Sequence, residues 1–150
     1  MKIRIEKSPD YASEPEIVIY CNKVDNEVEE IISNLDLHKK KLVGLLEGRE
    51  HMIEPPEVLY CESVDGDVYI YTENRVYKTT YILYEIESGF RAAGYFRCSK
   101  SMILNIHSIK SLKSELGNRI DAVLINGEHI IISRHYAKLM RQMLKGAGNL

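Results

Sequence analysis

The sequence has no tryptophan, only two phenylalanines and only three cysteines in 150 residues. Cys21, Cys61 and Cys98 are odd in number, far apart and form no CxxC pair. Neither a disulfide framework nor a thiolate zinc site is therefore expected, and free thiols in a reducing cytoplasm are. The five histidines, at 38, 51, 107, 129 and 135, show no HxxxH spacing, so no metal centre is expected. No apolar run reaches the 18 residues that a membrane-spanning helix needs. Met1 leads directly into the alternating "KIRIE", which is not a secretory signal. A phosphate-cradling glycine loop is missing too, because "LKGAGN" has no helix after it. Arg97 and Lys100 beside Cys98 are neighbours that lower a thiol pKa, but no spacing pairs Cys98 with a base. The expectation is no catalysis, no cofactor, no small-molecule substrate and a free, buried Cys98.

What is present is an uneven charge. The formal net charge is −2. Residues 1–90 carry ten Lys/Arg against nineteen Asp/Glu, whereas residues 91–150 carry ten against three. Such a split gives the molecule a basic half suited to a polyanion and an acidic half facing away. The two halves pairing with each other is the alternative. Tyrosine is frequent, at ten, and suits strands that bury a ring and wet a hydroxyl.

Periodicity predicts a mainly β chain of the α+β class. "KIRIE" (2–6) and "EIVIYC" (16–21) read as strands, separated by a proline-containing loop. Asp25 then caps a helix whose Val28, Ile31, Ile32 and Leu35 fall on one stripe. Beyond a boundary near 38–42, "KLVGLLEG", "VLYCES" (58–63), "DVYIYTE" (67–73) and "RVYKT" read as strands, the middle two as a hairpin around "VDG". Ile82, Leu83, Ile86 and Phe90 suit a short internal helix with Gly89 near its end. "YFRC", 108–115, 118–125 and "HIIIS" complete the strands. Ser133 is placed to cap a last helix, 134–145, with Tyr136, Leu139, Met140, Met143 and Leu144 on its apolar face. Arg134, Lys138, Arg141 and Lys145 line the opposite face.

Three clusters carry side chains suited to nucleic acid. One is Arg97, Ser99, Lys100, Ser101 and Asn105; the second is Ser133, Arg134 and His135, with Lys138 a turn further; the third is the "SVDGD" hairpin tip. Arg and Lys neutralise phosphates and bond guanine edges, Asn bonds adenine, and Ser hydroxyls bond phosphate oxygens. No helix-turn-helix, zinc-finger, basic-zipper or aromatic RNA-binding pattern is present, so any reader would use loops between strands. The competing reading is a non-catalytic module that docks an acidic protein through the basic C-terminal half.

The blocks "YFRCSKSMILNIHSIKSL" and "RIDAVLINGEHIIISRHY", in that order after "VLYCES…DVYIYT", resemble the LytTR DNA-binding domain of bacterial transcription regulators. The resemblance covers about residues 42–145. It implies an elongated domain of successive antiparallel sheets, with loops rather than a recognition helix entering successive major grooves at promoter repeats. It implies that Lys100, His135 and a residue of the tip Val64–Asp67 reach bases. Arg97, Ser101 and Arg134 would hold phosphates or order the loops, and Asn105 would bind or fix a turn. Ser99, Lys100 and His135 depart from residues common in the family, so base preference does not transfer. Asp65 and Asp67 set negative charge at the tip.

Family members often carry a receiver domain ahead of this one. Residues 1–41 are expected to form only a small β-β-α appendage, too short for a receiver. Its apolar stripe makes it a candidate dimerisation element, ahead of a DNA-binding domain at 42–150. A cytoplasmic, response-regulator-like homodimer on double-stranded DNA is the expectation.

Overall fold

The structure is a computed structural model that describes residues 4–9, 17–37 and 40–146, with the side chains of 33, 34, 36, 37, 145 and 146 outside the described set. Helix α1 is Asn26–Leu37. Strands β1 (Leu42–Leu46), β2 (Arg49–Ile53), β3 (Val58–Val64), β4 (Asp67–Thr72) and β5 (Val76–Thr79) follow. Helix α2 is Leu83–Phe90. Then come β6 (Tyr95–Ser99), β7 (Met102–Asn105), β8 (Ile109–Ser114), β9 (Ile120–Leu124), β10 (His129–Ile132) and helix α3 (Arg134–Gly146).

Seven strands form one antiparallel sheet in the order β2-β1-β5-β4-β3-β7-β6. A second sheet has the order β10-β9-β8. Side chains alternate across a strand, and the large sheet uses both faces. Val58, Cys61, Tyr95 and Ile103 point to a core closed by Leu83, Ile86 and Phe90 of α2. Leu59, Phe96, Cys98 and Leu104 point to the other core, closed by Ile120, Ala122, Leu124, Ile130 and Ile132 of the small sheet and Ala137 and Met140 of α3. Each fully buried aliphatic or aromatic side chain contributes about 1.5–3 kcal/mol. The large sheet is thus the middle layer, and this is what fixes α2 and α3 relative to its turns.

Hydrogen bonds lock the layers together. The Ser108 hydroxyl donates to Leu59 O at 3.0 Å, and Ile125 N donates to Ser108 O at 2.9 Å. Tyr95 is buried with its hydroxyl on Pro55 O at 2.6 Å. Gly44 lies so close to Tyr77 that an added Cβ would sit 2.5 Å from the Tyr77 Cβ.

Several expectations are corrected. Ile17–Cys21 forms no strand, and neither do residues 4–6 of the first predicted strand; the rest of both segments lies outside the described residues. β-Branched composition supplies propensity, but a strand needs a partner edge, and Ile17–Tyr20 stay exposed. "REHMI" is a strand paired with β1 through a two-residue turn. Its signal was weak because the turn is Glu47-Gly48, both at positive φ, rather than Asn-Gly. Ile82 precedes α2 and is 58% exposed instead of joining its apolar face. Asp25 does cap α1, accepting from Val28 N at 3.2 Å. That helix rests on the turn Arg91–Ala93. Lys40 Nζ sits 5.2 Å over the Phe90 ring and donates to Gly89 O at 3.2 Å. No described helix is long and apolar enough to cross a membrane.

Candidate nucleic-acid interface

The β3–β4 tip is the two-residue turn Asp65-Gly66, with φ of 51° and 86°. Two left-handed residues match the twist of a hairpin, so the tip projects as a compact end. Asp67, at its base, is held by Lys78 of β5 at 2.9 Å. The hydrogen bond and charge of Asp67 also raise the Lys78 pKa. Half of the acidity that the sequence places at this tip is therefore already neutralised, leaving Asp65 exposed.

The β6–β7 turn is Lys100-Ser101, and neither residue has a positive φ. The twist is accommodated by a bulge between Arg97 and Ser99, a device that re-aims side chains. Ser101 N donates to the Ser99 hydroxyl at 3.3 Å. Arg97 Nη1 donates to Lys100 O at 2.8 Å, while its Nε donates to Glu87 of α2 at 3.2 Å. Cys98 is fully buried, and desolvation pushes its thiol up to about 12. The basic neighbours therefore do not activate it.

Two backbone hydrogen bonds join three segments into a row. Ser63 N, at the β3–β4 tip, donates to Ser101 O at 2.8 Å. Ser133 N, at the start of α3, donates to Cys98 O at 3.0 Å. The Asp65-Gly66 tip, the Lys100-Ser101 turn and the Ser133–His135 segment thus follow one another along one edge. Lys100, Arg134, His135 and Lys138 are exposed there, and none has a carboxylate partner among the described residues. The His135 ring meets Tyr136 edge-on at 4.9 Å.

Three of the expected site residues are engaged by the fold itself. Asn105 is 1% exposed, donates from Nδ2 to Val58 O at 2.8 Å and accepts from His107 N at 3.0 Å. Its amide is engaged by two backbone groups of the fold. Ser133 stands at the N-cap position of α3, where its carbonyl accepts from Ala137 N at 2.7 Å. Arg97 is only 16% exposed at its side chain and is committed to Glu87 and the Lys100 carbonyl. Glu87 and Lys78 are parts of this edge that the sequence does not flag, because their partners lie across element junctions. Lys145's side chain falls outside the described set, while Arg141 is exposed on the same helix.

The opposite end of the large sheet holds an open groove of ≈ 590 Å³, between the turns at Glu47-Gly48 and Asn74-Arg75. No group of three His, Cys, Asp or Glu among the described residues is placed to hold a metal.

The β-scaffold carries Lys100, Arg134 and His135 along one edge, and among the described residues no two α-helices follow one another without a strand between them, unlike a helix-turn-helix. The LytTr DNA-binding domain family model matches residues 48–145, and the chain belongs to that family. A solved LytTr DNA-binding domain from Bacillus cereus superposes with a TM-score of 0.66 at 24% identity, covering 70% of this chain and 97% of that one. An uncharacterized HTH-type transcriptional regulator of Staphylococcus aureus, SAB2242, is 30% identical over 134 residues, 88% of this chain and 90% of that protein. The sensory transduction protein LytT of Enterococcus faecalis is 31% identical over 75 residues, half of this chain and 31% of that protein. The chain is thus similar to about a third of LytT but to nearly all of SAB2242.

Proposed function

We propose that this protein is a transcription regulator that reads promoter DNA in the major groove through three turns: Val64–Asp67, Lys100-Ser101 and Ser133–His135. The observation that carries the reading is the row made by the Ser63–Ser101 and Ser133–Cys98 hydrogen bonds. Lys100 and His135 supply groups that bond base edges, and Arg134, Lys138 and Ser101 supply phosphate contacts. Phosphate contacts release counterions, so affinity falls as salt rises. The family membership and the regulator names of the relatives support the same role.

The test starts with selection of bound fragments from a random DNA pool. Affinity for a selected fragment and for random duplex is then measured at two salt concentrations. Lys100→Ala is expected to weaken selected-site binding by roughly 1–3 kcal/mol and narrow the gap to random DNA. Arg134→Ala is expected to weaken both alike. No enrichment of any sequence, or a Lys100→Ala gap equal to wild type, refutes the assignment.

Repeated sites favour two protomers, and we propose a homodimer formed by the N-terminal appendage. Ile17, Val18 and Tyr20 are 64%, 57% and 93% exposed, with Val24 at 63%. A contiguous apolar stretch of this kind marks an interaction surface. Deletion of residues 1–40 should take the sedimenting species from two chains to one; a truncated protein that still sediments as two chains removes this role.

A further inference from the structure

We propose that Glu87 and Arg97 are positioning residues for base selection, acting through the Lys100 carbonyl rather than by touching DNA. The inference rests on the reading of Lys100 as a base contact. Its basis is a continuous chain of charge-assisted hydrogen bonds. Glu87 Oε2 accepts from Arg97 Nε at 3.2 Å, and Arg97 Nη1 donates to Lys100 O at 2.8 Å. The side chains of Glu87 and Arg97 are 25% and 16% exposed, so both are largely shielded from competing water.

Each end of the chain is anchored differently. Glu87 follows Ile86, which is fully buried, on a helix that also buries Leu83 and Phe90. The carboxylate therefore has a fixed position on the middle layer. Lys100 occupies the first position of a two-residue turn whose neighbours depart from regular pairing at a bulge. Without Arg97, the Ser99–Met102 pairing, the Ser101 N–Ser99 hydroxyl bond and the Ser101 O–Ser63 N bond would define that turn. Of these, the Ser101 N–H bond holds one side of the peptide plane that follows Lys100 and leaves its carbonyl side to Arg97. Arg97 holds that side, and with it the direction in which the Lys100 side chain leaves the edge. A guanidinium suits the task because its planar fork bonds two acceptors at once; an ammonium on a flexible stem does not.

This role differs from a phosphate clamp in a measurable way. A phosphate clamp contributes equally to every duplex and survives replacement of Arg by Lys. A positioning residue contributes to the difference between selected and random DNA, and requires the fork. The experiment uses the full chain, the selected fragment and a random duplex, with fluorescence anisotropy at two salt concentrations. Glu87→Ala is expected to lower the selected-to-random affinity ratio by about tenfold, the scale of one charge-assisted hydrogen bond. The salt slope should not fall, because no cation is removed. Arg97→Lys, which keeps the charge and spares the helix, should lower the ratio similarly. In a Lys100→Ala background, neither change should lower the ratio further. Amide shifts of Lys100 and Ser101 should move in both variants, with those of Asp65 and Gly66 unmoved.

An unchanged ratio in Arg97→Lys, or an equal loss on both duplexes in Glu87→Ala, overturns the positioning role while leaving Lys100 as a reader. A wild-type ratio in Lys100→Ala alone removes the reader, and the positioning role with it.

Discussion

Replacement of Asn105 by alanine separates scaffold from reader at a buried polar residue that the sequence leaves open. The Asn105 amide is 1% exposed and makes two hydrogen bonds, to Val58 O at 2.8 Å and from His107 N at 3.0 Å. Each bond contributes about 1 kcal/mol net. Val58 is fully buried, so its carbonyl loses a partner in a place water does not reach, which adds about 1 kcal/mol or more. His107 is exposed, so its amide recovers part of its loss from solvent. The sum is a destabilisation of roughly 2–3 kcal/mol. For a domain of this size that lowers Tm by on the order of 10 °C. Urea unfolding followed by circular dichroism measures it, with an unchanged m-value showing that the unfolded state is not the cause. DNA affinity, measured well below the transition, should keep its selected-to-random ratio. Wild-type stability combined with a lost ratio would show that the amide reads DNA and that the buried geometry is wrong.

Gly44→Ala forces a Cβ to within 2.5 Å of the Tyr77 Cβ and 2.8 Å of Ile53 Cδ1; a loss of about 1–3 kcal/mol or more is expected in urea titration. Among the thiols, Cys21 is exposed and should react at once with a thiol reagent at neutral pH, whereas Cys61 and Cys98 should react only on unfolding. Burial pushes both buried thiols up to about 12, while unfolded cysteine titrates near 8.5. The unfolded chain therefore loses these protons first, and stability should fall as pH rises from about 8.5 towards 12 and be independent of them below that range. Asp67→Asn releases Lys78 from its 2.9 Å ion pair; random-duplex affinity should rise and the salt dependence steepen by about one phosphate contact.

The sequence reveals elements where the local signal is strong. The "VDG" hairpin, the β-strands on either side, the Asp25 cap and the amphipathic C-terminal helix are legible because period, cap chemistry and turn residues agree. It misleads at Ile17–Cys21, where composition argues for a strand and none of the described residues pairs with it. It is ambiguous at Asn105, since an amide that fixes a turn and one that faces adenine look alike in one dimension. The clusters around Lys100 and His135 are visible as residue types. Their adjacency is not, because it depends on Ser63 meeting Ser101 and Ser133 meeting Cys98 across the sheet. The Glu87–Arg97 pair is hidden for the same reason, with its partners on a helix and a bulged strand.

The contacts that space the three turns run from main chain to main chain, so they are indifferent to which side chains stand at 100, 134 and 135. On the proposed function, exchanging those residues would change the letters recognised and leave the distances between recognised positions untouched. A reader built this way would be a comb with replaceable teeth: new targets would be reached by single substitutions, but a target with altered internal spacing would need the sheet rebuilt.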